Sequence, residues 1–280
     1  LQPFLSGNVL SVMLIAAAVG LALAFMPKTE NRAVLLKGLL GLQEVLFALI
    51  RALLWILPLG ILAFSAQLSA QIEAGIIVSA LGKYTLVILG GNLIQFFIVL
   101  PIFLAVRGLN PIHVFRKMAP AIAVALFTKS SAGTLPVTLA SAEQRLNVHP
   151  QVSRFVLPIC TTINMNGCAA FILVTSLFLM QNGGTELTMG TMIAWLFIAV
   201  LAAIGNAGVP MGCYFLTLSL MSSIGAPIGI MGIILPIYTI IDMVETAENV
   251  WSDAAVCAMT DHDLAHTLDA NAKESVVAGH

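Results

Sequence analysis

The sequence predicts an all-α membrane protein built from multi-spanning helices and two re-entrant helical hairpins. Hydrophobic residues make up 59% of the 280 residues and charged residues only 9%, whereas soluble domains have roughly 45–50% and about 25%. A helix needs about 20 residues to cross a bilayer, and several uncharged stretches reach that length. These stretches lack the period-two alternation of strands, which favours helices over a transmembrane barrel.

The N-terminal part of the chain is predicted to be conventional membrane helix. A first span covers residues 9–25, a polar turn covers residues 26–32, and a long apolar stretch covers residues 39–70. Pro58 lies inside that stretch, so we expect one long, bent helix followed by a loop at residues 71–73. The next span covers residues 77–106. Further uncharged stretches lie at residues 155–181, 187–205 and 213–241.

Two clusters of small residues and proline interrupt the later apolar segments. They are SSAGTLP at residues 130–136 and GNAGVP at residues 205–210, each between two arms too short for a full crossing. We expect each cluster to form the non-helical tip of a hairpin. Backbone groups freed at such tips must face a ligand, an ion or water, so matching interruptions indicate a transporter binding site. A pair of ordinary helix kinks is the alternative.

Between the two clusters, the sequence TTINMNGC at residues 161–168 places polar residues inside an otherwise apolar span. Placing Asn164 and Asn166 in a bilayer costs free energy unless their side-chain amides form hydrogen bonds or bind a ligand. They flank Met165 and precede Gly167, which favours a locally unwound helix whose oxygens coordinate a cation. An equal alternative is that the two asparagines form hydrogen bonds between helices.

The last apolar stretch leads into a segment that carries four acids and no base between residues 241 and 253. At about 100° per residue, Glu248 projects away from the polar face of this helix. That face carries Asp242, Glu245, Thr246, Asn249 and Asp253. Ionisable residues in a membrane span indicate a functional site, and a carboxylate stripe suits a cation or an ammonium group. An amphipathic helix lying at the interface is the alternative, and the apolar run upstream disfavours it.

Basic residues are concentrated in the first part of the chain, and residues 155–272 contain none. Arg107, Arg116 and Lys117 lie in one short connection, which the positive-inside tendency places in the cytoplasm. We therefore expect membrane lipid as a partner and no nucleic acid. The four cysteines show no C-x-x-C spacing, so we expect buried, reduced thiols and no disulfide framework. The chain starts at Leu1 without a signal-peptide pattern, so we expect its beginning to be missing.

These motifs resemble those of the dicarboxylate/amino acid:cation symporters, the family that includes the excitatory glutamate transporters. The first-hairpin signature of that family is similar to TKSSAGTLPVT at residues 128–138, and its NMDGT motif resembles NMNGC at residues 164–168. The second-hairpin tip resembles AIGNAGVP at residues 203–210. The final-helix motif matches Asp242, Thr246, Asn249 and Asp253. The four motifs occur in the family's order and cover nearly the whole chain.

The resemblance implies a glutamate-transporter-like elevator fold, N-terminally truncated by three helices, in which a transport domain slides against a trimeric scaffold. Residues 1–75 would supply scaffold and trimerisation helices, and residues 76–111 a transport-domain helix. Residues 112–260 would form the transport-domain core, before a C-terminal tail at residues 261–280. The resemblance also implies a multi-pass homotrimer of the cell inner (plasma) membrane, with no cofactor and with Na⁺ or H⁺ as coupling ion.

Carried over to this sequence, the family's functional residues fall into three sets. The substrate contacts are Ser130, Ser131, Asp242, Glu245, Thr246 and Asn249, with Asp242 facing an amino group. One sodium site would use Asn164, Asn249 and Asp253, and a second would use backbone carbonyls of Ala203, Ile204 and Asn206, with Thr162 and Met165 opposite. The second hairpin would be the gate, through Gly205, Gly208 and Pro210. No metal beyond Na⁺ is expected.

Three departures from the family pattern bear on coupling and selectivity. Asn166 replaces the aspartate of NMDGT, which removes a charge from the family's third sodium site, and Cys168 replaces its threonine. Glu245 replaces the arginine that grips the side-chain carboxylate of acidic substrates. Because a glutamate presents like charge, we expect a symporter selective for neutral or, second, cationic amino acids. Lys129 could neutralise Glu245, or a protonated Glu245 could serve proton coupling.

Other function classes fit the residues less well. An inactive paralogue or an anion or ion channel of the same fold is the alternative, and ion-gradient-dependent accumulation in vesicles distinguishes it. His262 and His266 lie four residues apart, but a solvated tail is favoured over a metal site. An intramembrane protease would need aspartates on different spans, whereas Asp242 and Asp253 lie on one helix. We therefore expect no enzyme.

Overall fold

All regular elements are helices in the computed structural model, which describes residues 9–73, 78–206 and 208–278. The N-terminal helices are α1 (Val9–Phe25), α2 (Glu30–Glu73) and α3 (Val78–Ile94), which continues through a π-helical turn (Gln95–Val99) into α4 (Leu100–Val106). They are followed by α5 (Pro111–Thr128), α6 (Ser131–Gln144), α7 (Pro150–Ile163), α8 (Asn166–Asn182), α9 (Met189–Ile204), α10 (Gly212–Ser223) and α11 (Gly229–Ala278). The all-helical prediction is confirmed.

Three helical stretches of the described chain are long and apolar enough to cross a membrane. They are Leu81–Val106, Pro150–Asn182 and Gly229–Ala265, with mean hydropathies of 2.3, 1.7 and 1.6. Two shorter apolar helices occur at Leu14–Phe25 and Met189–Ile204. The predicted span at residues 9–25 coincides with α1, and α2 is a single helix that contains Pro58.

Helix boundaries depart from the predicted ones in three places. Residues 71–73, predicted as a loop, are the last residues of α2, and the predicted start of the next span at residue 77 lies outside the described residues. Residues 213–241 are divided between α10 and α11, because Gly225 has a φ of 71° and Pro227 lacks an N–H group. The predicted tail at residues 261–280 continues α11 as far as Ala278.

The chain divides into two compact units. One unit comprises Leu1–Leu81 and Leu218–Ile237, and the other comprises Gly82–Thr217 and Tyr238–His280. The predicted division into scaffold, transport-domain helix, core and tail stays a prediction. Every residue of the predicted substrate, cation and gate sets lies in the second unit, so the site is described within that unit.

The core of the second unit joins α4, α5, α6 and α7 to the middle of α11, at residues 247–258. Trp251 of α11 is only 1% exposed and packs edge-on against Phe115, with ring centroids 5.4 Å apart. Its indole N–H donates a hydrogen bond of 3.1 Å to the carbonyl oxygen of Phe96, which lies in the π-helical turn. These contacts fix the rotation of α11 about its axis and so decide which of its side chains face the site.

Candidate substrate and cation site

The tip between α5 and α6 consists of Lys129 and Ser130. Lys129 ends α5 in the left-handed conformation, with a φ of 53°, and the Ser130 hydroxyl oxygen accepts a hydrogen bond of 3.0 Å from the Gly133 N–H. This serine cap starts α6 immediately. The predicted non-helical tip at residues 130–136 is therefore wrong beyond Ser130, and Pro136 lies within α6.

The segment between α9 and α10 is non-helical, as predicted for the tip of the second hairpin. Residue 207 lies outside the described residues. Gly208 has a φ of 67°, and Met211, although not a glycine, has a φ of 61°. The Met211 N–H donates a hydrogen bond of 3.2 Å to Asp242 Oδ2, which ties this strained position to α11.

The two tips contact each other. The Gly208 carbonyl oxygen accepts hydrogen bonds from the Ser130 hydroxyl at 2.9 Å and from the Ala132 N–H at 3.4 Å. A Cβ atom on Gly208 would lie 3.0 Å from the Thr161 carbonyl oxygen and 3.3 Å from Met165 Cε. Only glycine fits this position, because it provides both the left-handed backbone and the close approach.

The helix is unwound between α7 and α8 at Asn164 and Met165, as predicted. The Asn164 amide nitrogen donates hydrogen bonds of 2.9 Å to Asp253 Oδ1 and to the Ser252 hydroxyl oxygen. The Asn166 amide nitrogen also donates to the Ser252 oxygen, at 2.6 Å. The two asparagines thus form hydrogen bonds between helices, as the alternative interpretation expected, and their role in coordinating a cation stays a prediction. Ser252 had no signal in the sequence beyond its place beside Asp253.

The acidic stripe of α11 is buried. Asp242, Glu245, Thr246, Asn249 and Asp253 are each at most 5% exposed. The Thr246 hydroxyl donates to the Asp242 carbonyl oxygen at 2.7 Å, and Asn249 Oδ1 accepts from the Gly167 N–H at 2.9 Å. Asn249 thereby contacts the first turn of α8, whereas Asp253 contacts the unwound segment before it. The first predicted sodium set is brought together, with Asn164 presenting its amide nitrogen to Asp253.

Tyr238 is a residue that sequence reasoning missed. Its hydroxyl lies 3.4 Å from both Asp242 Oδ1 and Glu245 Oε2, and the ring is fully buried. Tyr238 precedes the two acids by four and seven residues, so the helical period that revealed the stripe could also have revealed this donor. One hydroxyl proton serves one carboxylate at a time, and Glu245 Oε1 has no hydrogen-bond partner within the described chain.

Charges around Glu245 differ from the expected arrangement. Lys129 acts electrostatically on Asp242, whereas the charges that act on Glu245 are the carboxylates of Asp242 and Glu248. The positive charge of Lys129 therefore acts on Asp242, which neighbours Glu245, and not on Glu245 itself. The sequence alone did not show which acid the lysine would reach.

The second predicted sodium set is brought together only in part. Ala203 is buried, and its carbonyl oxygen accepts from the Asn206 N–H at 3.1 Å at the end of α9. Met165 is buried against the second tip. The Thr162 side chain is exposed and donates to the Ile159 carbonyl oxygen at 2.8 Å, and Ile204 is 41% exposed. The Thr162 hydroxyl is therefore not directed at this set.

Cys168 and Cys213 form a disulfide, which corrects the prediction of four reduced thiols. The bond links the first turns of α8 and α10 across 45 residues of sequence, a pairing that no local spacing reveals. The Asn206 amide nitrogen lies 3.2 and 3.3 Å from the two sulfurs, and Glu245 lies beside them. Cys160 and Cys257 are free and buried, as predicted.

The histidine pair of the predicted tail is described only in part. His262 is exposed, and its Nδ1 lies 3.8 Å from Asp263 Oδ1. Asp263 forms an ion pair with Arg107 at 2.5 Å. The side chain of His266 lies outside the described part of the chain, so the unfavoured metal-site interpretation stays untested.

Comparison with known proteins gives consistent matches over nearly the whole chain. A family model described as the sodium:dicarboxylate symporter family matches residues 1–263. Excitatory amino acid transporter 1 of Ambystoma tigrinum is 32% identical over 276 residues, which are 96% of this chain and 50% of that protein. Excitatory amino acid transporter 3 of Mus musculus is 32% identical over 249 residues, 88% of this chain and 47% of that protein.

A nematode protein matches to a similar extent. The excitatory amino acid transporter of Caenorhabditis elegans is 30% identical over 266 residues, which are 94% of this chain and 52% of that protein. The chain thus spans about half the length of the curated relatives that it matches.

Proposed function

Because the chain belongs to the sodium:dicarboxylate symporter family, we propose that it carries the substrate and ion sites of a cation-coupled amino acid or dicarboxylate symporter. The family is one of symporters, and three helical stretches of the described chain are long and apolar enough to cross a membrane, which together support a transport function in an integral, multi-pass membrane protein. Na⁺ is the coupling ion that the family supports. The elevator motion, the homotrimer, the re-entrant course of both hairpins and the scaffold role of residues 1–75 belong to this proposal.

The observation that carries the proposal is the closure of two non-helical tips over a buried carboxylate. Gly208 contacts Ser130, and Met211 of the same tip contacts Asp242. A substrate ammonium group would bind Asp242, because a carboxylate in an apolar site favours a cationic partner. A substrate carboxylate would bind at Ser130 and Ser131, where the N-terminus of α6 offers N–H groups and a positive dipole end. Thr246 and Asn249 would complete the polar wall.

Selectivity for neutral amino acids is the finer part of the proposal. Glu245 is fully buried, one of its oxygens lacks a partner among the residues that the structure describes, and the charged groups that act on it are acids. A substrate with a side-chain carboxylate would meet like charge in a desolvated site, at a cost of several kcal/mol. The matched relatives are named for excitatory amino acids, so this chain would differ from them. Neutral substrates rank first and cationic ones second.

Cation coupling would use the unwound segment and the second tip. Asp253 and Asn164 face each other, and a cation between α7 and α11 would engage the carboxylate once the Asn164 amide turns its oxygen inward. Ala203, Asn206 and Met165 would hold a second cation beneath the second tip. Gly205, Gly208 and Pro210 would let this tip open and close as a gate.

Competition uptake tests the selectivity. The complete transporter, reconstituted in vesicles with an inward Na⁺ gradient, would take up a labelled neutral amino acid in the presence of aspartate, alanine or arginine. We expect alanine to compete most strongly and aspartate least, and Glu245→Arg to reverse that order. Glu186→Arg, a change at an exposed loop residue, should leave the order unchanged. Potent inhibition of the wild type by aspartate would refute the selectivity.

A channel or inactive paralogue is the second candidate. The Cys168–Cys213 bond favours it, because the bond ties α10, which follows the second tip, to α8 and so restrains the gate. Accumulation of substrate against its gradient, dependent on Na⁺ and seen in oxidised protein, would exclude this candidate. Ion currents or no flux, without accumulation, would support it.

A further inference from the structure

Glu248 is a buried carboxylate that the proposed substrate and sodium sites do not use. It is fully buried on α11, away from the acidic stripe as predicted, and neither of its carboxylate oxygens has a hydrogen-bond partner among the described residues. An ionised carboxylate in such surroundings strongly destabilises the folded protein unless another group compensates its charge. A cation or a proton must therefore neutralise the Glu248 carboxylate in the folded protein.

Asn92 of α3 is a second buried polar group without a complete set of partners. It is fully buried, and its amide nitrogen donates a hydrogen bond of 3.0 Å to the Ile88 carbonyl oxygen. That bond fixes the orientation of the amide, so Oδ1 points away from its own helix. No donor reaches Oδ1 within the described chain.

The two unpartnered oxygens converge on Gly167, in the first turn of α8. A Cβ atom on Gly167 would lie 2.6 Å from Glu248 Oε2 and 3.1 Å from Asn92 Oδ1. The two oxygens are thus no farther apart than these distances combined. A Cβ atom there would also lie 2.9 Å from Glu245 Cα, so only glycine lets the first turn of α8 approach both oxygens and α11 this closely.

The charges around this point do not compensate the carboxylate. The charged group that acts on Glu248 is Asp253, and Glu248 in turn acts on Glu245, so both interactions are repulsive. The N-terminus of α8 offers only a partial positive charge, which does not offset the desolvation of a full negative charge. The Gly167 N–H is already donated to Asn249.

We propose that Glu248 and Asn92 hold a monovalent metal cation, Na⁺, against the first turn of α8, at a site separate from the two predicted sodium sites. Carboxylate and amide oxygens are ligands that hard cations prefer. One positive charge neutralises the single carboxylate, whereas a divalent ion would need more acidic ligands than the carboxylate and the neutral amide supply. The choice of Na⁺ rests on the proposed function.

Sodium-dependent thermal unfolding of the purified, full-length protein in detergent tests this site. NaCl is titrated against choline chloride at constant ionic strength, and the unfolding midpoint is followed. A cation that binds only the folded protein raises this midpoint as its concentration rises. We expect Glu248→Gln, which keeps shape and removes charge, to raise the Na⁺ concentration for half-maximal stabilisation at least tenfold. Glu186→Gln, at an exposed loop position, is the matched control and should leave the curve unchanged.

Two further variants locate the site. Asn92→Leu keeps the carboxylate and removes the amide oxygen, so it should weaken Na⁺ binding in the same direction, and it decides the outcome if Glu248→Gln does not yield folded protein. In an Asp253→Asn background, a Na⁺ dependence should remain, and adding Glu248→Gln should raise the Na⁺ concentration for half-maximal stabilisation further. A Glu248→Gln curve that superimposes on the wild type overturns the site. So does an Asp253→Asn protein without any remaining Na⁺ dependence.

A proton is the other species that could neutralise Glu248. If Glu248→Gln changes how the unfolding midpoint varies with pH in choline but leaves the Na⁺ titration intact, the sodium site is wrong. The same measurements separate this site from the proposed function. If uptake is driven by Na⁺ but the Na⁺ titration of Glu248→Gln equals that of the wild type, only the proposed Glu248 site is refuted. If uptake is absent but the titration shifts, only the proposed symporter function is refuted.

Discussion

The hydroxyl of Ser130 donates a hydrogen bond of 2.9 Å to the carbonyl oxygen of Gly208, which lies 78 residues further along the chain. The bond joins the tip of the α5–α6 pair to the tip that follows α9. Because Ser130 also caps α6, the same side chain starts one helix and holds the other tip against it. Closure of the second tip over the site therefore depends on Ser130, which lies outside both helices that flank this tip.

Ser130→Ala should make the second tip open more often. A hydrogen bond contributes about 0.5–1.5 kcal/mol, so labelling of a Val209→Cys thiol should accelerate roughly 2- to 10-fold. The background keeps Cys168 and Cys213 and replaces the free Cys160 and Cys257 by alanine. Thr188→Ala removes a comparable cap from α9 and controls for the lost cap. Equal labelling rates in the two variants would contradict this role of Ser130.

Gly208→Ala should reduce transport at least tenfold. The added methyl group meets the Thr161 carbonyl oxygen at 3.0 Å and the Ala132 N–H nitrogen at 3.1 Å, in a backbone with a φ of 67°. Gly184→Ala is the control, because Gly184 has a φ of 80° and nothing within 4 Å of the new Cβ. Both changes carry the left-handed strain of about 1–2 kcal/mol. Initial uptake rates that fall equally in both would assign the effect to strain and not to tip closure.

Asp253→Asn should weaken ion coupling. The change removes the charge that faces the Asn164 amide at 2.9 Å, so we expect the Na⁺ concentration for half-maximal uptake to rise at least tenfold. Asp263→Asn, on the same helix, removes an exposed ion pair of the kind that contributes at most about 1 kcal/mol, and should leave coupling intact. Unaltered Na⁺ and pH dependence of uptake in Asp253→Asn would show that the cation site lies elsewhere.

The sulfur pairing predicts a specific alkylation pattern. In denatured protein, Cys160 and Cys257 should react without reductant, whereas Cys168 and Cys213 should react only after reduction. Peptide mass mapping measures each cysteine separately. Alkylation of Cys168 before reduction would contradict the pairing and would support the original prediction of four free thiols.

The sequence predicted those features that depend on local composition. The span that ends at Phe25 and the unwinding at Asn164 follow from hydropathy and from polar residues in an apolar run. The tip at Ser130 was predicted too long, because a single serine cap outweighs the disruption expected from Pro136. Local signals of this kind compete within a few residues, and only the folded backbone shows which one prevails.

Features that depend on contacts between distant segments were not predicted. Cys168 and Cys213 pair because the second tip folds onto the unwound segment, and their spacing carries no trace of it. Tyr238 shares the helical period of the stripe, but an aromatic residue in an apolar run resembles ordinary core. Asn92 and Glu248 lie 156 residues apart and become neighbours only where α8 offers a glycine between them.

The unbroken course of α11 has a mechanical consequence. Asp242 and Asp263 lie on one helix 21 residues apart, about 30 Å along its axis. Beyond the site, Asp263 is paired with Arg107 after α4, and Asp261 accepts a hydrogen bond from the His149 N–H before α7. Because α11 is one continuous helix held by these two contacts, its two ends move together. Displacement of the pocket end therefore pulls two distant loops with it, so that those loops report the position of a pocket they never touch.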